Sequence, residues 1–205
     1  MSTNTPLYVR IPYTLFVCAL VPIYWAEYSP LNFLWGSDIA LFVTVVALWT
    51  ESRMLASMMA LGVLLPEFLW NIDFALRLLF GPDAIPLVGT RYMFNTEIPL
   101  LARAFSLFHI FLPAVLLWLL YRLGYQRKAV LYQTILAWFI LPLSYALSDP
   151  LANINWVYGF GDEPQSWLPG PLYVALLMVL FPLGLYLPTH LLLSKLFPAN
   201  GYSPP

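Results

Sequence analysis

Six polar side chains that could support chemistry stand inside otherwise apolar stretches of this sequence. They are Asp38, Glu67, Asn71, Arg103, Ser106 and His109. The candidates for catalysis are Glu67 and His109, because a carboxyl group and a neutral imidazole can pass a proton between them. The candidates for ligand binding are Asp38, Asn71, Arg103 and Ser106, and the arginine could hold an anionic headgroup.

The spacing of these residues predicts which of them share a helix face. Arg103, Ser106 and His109 follow one another at intervals of three residues. Asn71 stands four residues after Glu67. Because residues three and four apart lie on one face of an α-helix, each set is expected to form one polar stripe.

The composition indicates which environment surrounds these residues. Hydrophobic residues make up 61% of the 205-residue chain and charged residues 9%, and the mean hydropathy is +0.77. Soluble domains carry about 25% charged residues, so this chain lacks the polar residues needed to cover a surface in water. With a net charge of -1, the chain lacks the excess of positive charge that is typical of proteins that bind nucleic acid. We therefore expect an integral membrane protein.

Apolar stretches of spanning length predict an all-α, polytopic helical bundle with about six transmembrane helices in one domain, 1–205. The spans are expected near 8–26, 33–50, 53–80, 98–122, 128–148 and 170–196. Two longer connections, 81–97 and 149–169, would lie on the outer side. The aromatic segment 153–167 within the second is expected to fold back over the bundle as a lid or to dock to a partner.

The distribution of positive charge predicts the orientation. One predicted side carries Arg10, Arg53, Arg122, Arg127, Lys128 and Lys195, whereas the other carries Arg77, Arg91 and Arg103. The more basic side should be cytoplasmic. The sequence thus favours a multi-pass protein of the cell (inner) membrane with both termini in the cytoplasm.

Prolines interrupt five of the six predicted spans. They are Pro22, Pro66, Pro113, Pro142, Pro182 and Pro188. Each lacks an N–H and frees the carbonyl four residues earlier, which must find another partner in hydrocarbon. Kinked helices pack less tightly than straight ones, so these prolines favour an enclosed cavity.

Two interpretations of the polar residues remain open. Arg103 could pair with Glu67 or Asp38 and simply lock helices together. The same groups could instead line one pocket in the outer half of the bilayer, for a lipid headgroup, a quinone or an isoprenoid. For Asp73 and Arg77, which stand four residues apart, a local ion pair is the simpler role.

The sequence lacks the motifs of haem binding, metal-dependent hydrolysis, nucleotide binding and serine-based catalysis. His109 and His190 lie at predicted depths of roughly 16 Å and roughly 30 Å, which is unsuitable for a bis-histidine haem. The sequence contains no H-E-x-x-H, C-x-x-C, P-loop or G-x-S-x-G motif. No metal site is therefore expected, and the cofactor stays unknown.

These observations favour a non-enzymatic membrane protein. We expect an accessory or small-ligand-binding subunit, for a lipid, quinone or pigment, in a larger assembly such as a respiratory or photosynthetic complex. The expected partners are membrane lipid and other membrane protein subunits, with no nucleic acid. The alternative is an embedded enzyme that acts on a lipid or isoprenoid through Glu67, His109 and Arg103.

Overall fold

The computed structural model describes residues 5–83, 89–160 and 164–198, and every regular element in these ranges is helical. The α-helices are α1 (Leu7–Tyr28), α2 (Gly36–Thr50), α3 (Arg53–Phe80), α4 (Leu100–Phe105), α5 (Phe108–Leu123), α6 (Ala129–Leu147), α7 (Gly170–Leu180) and α8 (Leu187–Leu196). A π-helix, Phe181–Tyr186, joins the last two. Short 3₁₀ helices cover Pro30–Leu34, Thr90–Phe94 and Ile154–Trp156. The predicted all-α class is confirmed.

Among the described residues, five helical stretches are long and apolar enough to cross a membrane, and they indicate a membrane-spanning protein. They are Leu7–Tyr28, Arg53–Phe80, Leu100–Leu123, Ala129–Leu147 and Gly170–Leu196. The helix in the remaining predicted span, 33–50, is shorter than expected. Helix α2 has 15 residues and covers about 22 Å of a hydrocarbon core of about 30 Å. The reason is Pro30, which begins a separate 3₁₀ turn before α2. Six passes therefore stay a prediction.

Helix α3 is the central element of the bundle. It packs against α2, α5 and α6, and also against α8 and the π-helix. Ala56 and Ala60 on α3 are fully buried, and such small side chains let neighbouring backbones approach closely.

Two hydrophobic clusters make up the core of the described part of the chain. The first joins α1, α2, α3 and α5 through residues such as Leu20, Leu41 and Leu112. The second joins α6, α7 and the π-helix around Leu61 of α3, with Leu141 among its members. The seam between these clusters is where the cavity described below lies.

Backbone groups find alternative partners at two irregular places in the helices. Pro182 frees the carbonyl of Met178, and the indole Nε1 of Trp138 on α6 donates to that oxygen at 2.7 Å. Between α4 and α5, the amide of His109 bonds to the carbonyl of Ser106 at 3.2 Å, a 3₁₀ pattern. Neighbouring side chains and local tightening thus satisfy the backbone groups, as hydrocarbon requires.

Candidate functional site

A cavity of about 280 Å³ lies at the seam between the two hydrophobic clusters. Met59, Val63 and Phe108 line it from the first cluster, and Ala137 and Phe181 line it from the second. Its polar side chains include Asn32, Ser37, Asp38, Glu67, Ser106, His109, Gln133 and Asn155. Its aromatic lining includes Tyr24, Tyr28, Trp35, Trp70, Tyr92 and Trp156. The cavity is therefore mostly apolar with a few polar groups, which is typical of small-molecule sites.

Glu67 of α3 and His109 of α5 face each other at the cavity wall. The imidazole Nδ1 lies 2.7 Å from the carboxyl Oε2. The side chain of Glu67 is 2% exposed and that of His109 is 13% exposed, so both are largely shielded. The hydrogen bond can carry a proton between the two groups, as expected of an acid–base pair.

The ring of His109 is held in place by an aromatic neighbour. Trp70, one turn after Glu67 on α3, stacks on the imidazole with centroids 4.5 Å apart and an interplanar angle of 22°. This stacking and the bond to Glu67 together fix the orientation of the imidazole.

Asn71 stands behind this pair and not in the cavity lining. Its Nδ2 donates to the carbonyl of Glu67 at 2.8 Å and to the carbonyl of His109 at 2.7 Å. The His109 carbonyl is the one that Pro113 leaves without its helical partner. Asn71, assigned from the sequence to ligand binding, thus satisfies a freed carbonyl and ties α3 to α5.

Ser106 also lines the cavity, where it contacts α1. Its hydroxyl lies 2.7 Å from the hydroxyl of Tyr24, and Ser106 is 1% exposed. Because side chains three apart align in a 3₁₀ turn, the local bonding places Ser106 and His109 on the same side.

Asp38 lies in the first turn of α2 and lines the cavity with 3% exposure. Its Oδ2 accepts a bond of 3.3 Å from Nδ2 of Asn32. Among the described residues, its Oδ1 has no hydrogen-bond partner. Asp38 therefore has one acceptor atom ready for a ligand.

Arg103 lies outside the cavity lining. Its Nε donates to the carbonyl of Ile98 at 2.9 Å, and its Nη1 donates to the carbonyl of Met93 at 3.1 Å. Within the described ranges, Arg103 forms no ion pair with Glu67 or Asp38. The guanidinium instead holds the segment before α4 in place.

Gln133 of α6 is a cavity residue that the sequence interpretation missed. It is 8% exposed, and its Oε1 has no partner in the described part of the chain. Gly62 of α3 makes room for it, because a Cβ there would meet Cδ of Gln133 at 2.9 Å. The sequence signal that could have identified Gln133 is its polar amide within the largely apolar helix α6.

The 3₁₀ helix Thr90–Phe94 adds Tyr92 to the lining from outside the spanning helices. Burial raises the pKa of the Tyr92 phenol above its ordinary value. The phenol is thus neutral near neutral pH and can act as a hydrogen-bond donor or acceptor towards a ligand.

The described part of the aromatic segment 153–167 folds back over the bundle, as the lid interpretation predicts. Asn155 Nδ2 donates to the Leu34 carbonyl at 2.8 Å and to Ser144 Oγ at 3.0 Å. Its Oδ1 accepts from the Gly36 amide at 2.9 Å. Trp156 packs edge-to-face on Trp35 with centroids 5.6 Å apart. Positions 161–163 of this segment, and 84–88 of the other long connection, lie outside the described residues.

Asp73 and Arg77 form the local ion pair that their spacing predicts. Arg77 Nε lies 3.2 Å from Asp73 Oδ2, and both side chains are buried. The same carboxylate oxygen accepts from the amide and hydroxyl of Thr90 at 2.8 and 2.7 Å. This cluster joins α3 to the Thr90–Phe94 helix and stays outside the cavity lining.

The lining groups offer hydrogen bonds and proton transfer to a bound molecule. Over residues 5–83, 89–160 and 164–198, no group of three or more His, Cys, Asp or Glu side chains is placed to hold a metal ion. No protein-family model, curated protein or solved structure matches this chain.

Proposed function

We propose that this chain is a membrane protein that binds one amphipathic small molecule, of the lipid, quinone, isoprenoid or pigment class, in the cavity beside α3. The observation that carries the proposal is the pairing of Glu67 with His109 in the wall of a largely apolar cavity. Ionisable groups among spanning helices are costly and mark functional sites. Asp38 and Gln133 add acceptors that the described protein atoms leave without partners.

The size of the cavity supports a ligand with a compact ring system at its head. A cavity of about 150 Å³ holds a benzene ring. The volume of about 280 Å³ observed here is nearly twice as large, which suits a head of about two fused rings. A longer apolar tail would leave between the helices and mix with lipid.

We also propose that the chain crosses the membrane six times with both termini in the cytoplasm. Helix α2 and the preceding 3₁₀ turn Pro30–Leu34 together reach about 30 Å, enough for a sixth pass. Contacts at one end of the bundle support an even number of passes. There Arg10 pairs with Glu51 at 2.8 Å, Arg53 bonds to the Tyr125 carbonyl, and the Tyr125 amide bonds to the Phe197 carbonyl.

The outward faces of α6 and α7 support a place beside other membrane subunits as well as lipid. Leu131, Ile135 and Phe139 of α6 and Leu172 and Val179 of α7 are all more than half exposed. Such faces suit hydrocarbon or another apolar helix equally. An accessory role in a larger membrane assembly is compatible with both.

The test of the proposed function is native mass spectrometry of the full chain, released from its own membrane in mild detergent. We expect one small molecule of amphipathic character per chain, with or without copurifying membrane subunits. If other membrane subunits copurify but no small molecule is bound, the ligand-binding role is rejected and the accessory role remains. A lone chain without a bound molecule would reject both.

The bond between Glu67 and His109 favours a second candidate, an enzyme that moves a proton on a bound lipid or isoprenoid. In that case Glu67 and His109 are the acid and base, Trp70 positions the imidazole, and Asn71 holds the His109 backbone. Glu67→Gln removes the proton that the carboxyl can exchange and keeps the shape of the side chain. Turnover of the identified ligand should fall by at least about a hundredfold in this variant, and unchanged turnover would reject the enzymatic role.

A further inference from the structure

We infer that the molecule held in the cavity carries a positive charge, in the form of a protonated amine on an apolar body, with Asp38 as its counter-ion. The inference rests on the proposed ligand-binding function and adds the charge of the ligand. It arises from the arrangement of acceptors, cations and aromatic rings around the cavity.

The charged groups that line the cavity are unbalanced. Its lining residues within the described ranges include two carboxyl groups, Asp38 and Glu67, but no lysine or arginine. Glu67 has His109 as its partner at 2.7 Å, and a proton on that imidazole would neutralise the pair. Asp38 has no such cationic neighbour in the lining, so a cationic ligand would supply the counter-ion that the described lining lacks.

The surroundings of Asp38 make a cationic partner favourable. The side chain is 3% exposed, and the only hydrogen bond to it in the described part of the chain is the neutral one from Asn32 at 3.3 Å. A carboxylate removed from water without a charged partner is strongly destabilised. The unpartnered Oδ1 can accept a charge-assisted hydrogen bond from an ammonium group, which is stronger than a neutral one.

The remaining lining favours the same class of ligand. The unpartnered Oε1 of Gln133 can accept a second N–H from a ligand. Tyr24, Trp35, Trp70 and Tyr92 present aromatic rings around the cavity, and ring faces attract cations in sites shielded from water. An anionic head would meet acceptors of its own sign and find Arg103 engaged with the Ile98 and Met93 carbonyls.

Three probes with one apolar body test the inference on the purified full chain in mild detergent. They are 1-naphthylmethylamine, 1-naphthylmethanol and 1-naphthoate, and binding is measured by equilibrium dialysis near neutral pH. The amine should bind at least about tenfold more tightly than the alcohol, since a charge-assisted bond exceeds a neutral one by that order. The carboxylate should bind most weakly.

An isosteric variant assigns the preference to one residue. Asp38→Asn should reduce amine affinity about tenfold and leave alcohol affinity unchanged. Glu27→Gln is the matched control. Glu27 is an exposed carboxylate near the end of α1 whose Tyr24 and Tyr28 line the cavity, but Glu27 itself lies outside the lining. This substitution should leave both affinities unchanged.

The outcomes separate this inference from the proposed function. If the amine and alcohol bind equally well to the unmodified chain, the cavity is a ligand site and the inference about charge is wrong. If the carboxylate binds most tightly, the inference is likewise wrong. If none of the three binds to the folded chain, both proposals are rejected. The comparison in the unmodified chain decides the matter even if Asp38→Asn does not fold.

Discussion

The imidazole Nδ1 of His109 lies 2.7 Å from the carboxyl Oε2 of Glu67, and this hydrogen bond joins α5 to α3 at the wall of the cavity. Each group satisfies the other in a region where an unpaired polar group would be costly. The pair therefore stabilises the bundle while it presents an exchangeable proton to the cavity.

Loss of the histidine is predicted to cost more stability than loss of the carboxyl charge. His109→Ala leaves the buried carboxyl of Glu67 unpaired and should lower the free energy of unfolding by about 3 kcal/mol. Glu67→Gln keeps an acceptor for the imidazole and should cost about 1 kcal/mol. Denaturation in mixed detergent micelles measures both. The double variant should lose less than the sum, and equal losses in the two single variants would contradict this account.

The bond from Asn71 to the His109 carbonyl is predicted to depend on Pro113. Asn71→Leu should cost about 1 kcal/mol in the free energy of unfolding, because the freed carbonyl then lacks a donor. Pro113→Ala restores the helical N–H for that carbonyl, so Asn71→Leu should cost less in that background. A double-mutant cycle measures the coupling. The same cost in both backgrounds would show that Asn71 does not serve the freed carbonyl.

A methyl group at Gly62 is predicted to weaken ligand binding. The new Cβ would lie 2.9 Å from Cδ of Gln133, which is too close, so this amide in the cavity lining must shift. We expect Gly62→Ala to lower affinity about tenfold. Gln133→Ala should restore part of the loss.

The matched control for Gly62→Ala is Gly184→Ala in the π-helix. A Cβ at Gly184 would meet no atom of the described residues within 4 Å, so affinity should stay unchanged. Equal effects of the two substitutions would indicate a general response of the helices and not a change in the cavity.

The lid is predicted to loosen when Asn155 loses its side chain. Asn155 has a φ of 56°, so Asn155→Gly keeps the backbone conformation and removes the bonds to Leu34, Gly36 and Ser144. Hydrogen exchange should become faster in 153–160 and stay unchanged in α3. A bound ligand should also dissociate faster. Unchanged exchange in 153–160 would show that these bonds do not hold the lid.

Helix bounds could be predicted well where the chain carries clear end signals. The predicted span 53–80 coincides with α3, because Ser52 caps its first turn and Gly81 follows its last residue with a positive φ of 102°. For the predicted span 33–50, the α-helix begins only at Gly36. Apolar residues before Gly36 suggested helix, whereas Pro30 directs them into a 3₁₀ turn.

The sequence identified Glu67, His109, Ser106 and Asp38 as candidates, and all four line one cavity. It could not establish that Glu67 faces His109, since one sequence does not determine the order of helices around a bundle. Arg103 belongs to the same stripe as His109 by spacing alone. Its guanidinium bonds instead to the Met93 and Ile98 carbonyls of the preceding segment, which the spacing could not predict.

The sequence also could not show how far the cavity extends along α6. The polar stripes pointed to the outer half of the bilayer, whereas Gln133 stands near the opposite end of α6. Gln133 nevertheless lines the cavity, because Gly62 lets it approach α3. The space that Gly62 leaves for Gln133 depends on which helices are neighbours, and the hydropathy pattern of one sequence does not show this.

Occupancy of the cavity tests the central claim most directly, and native mass spectrometry of the gently extracted chain can compare two substitutions on α6. Ala137 lines the cavity and is 6% exposed, whereas Ile135 is 53% exposed on the outer face. The account predicts one bound small molecule per chain in the unmodified protein and in Ile135→Phe, and its loss in Ala137→Phe. Retention of the full bound mass in Ala137→Phe, or no bound mass in the unmodified chain, would contradict it.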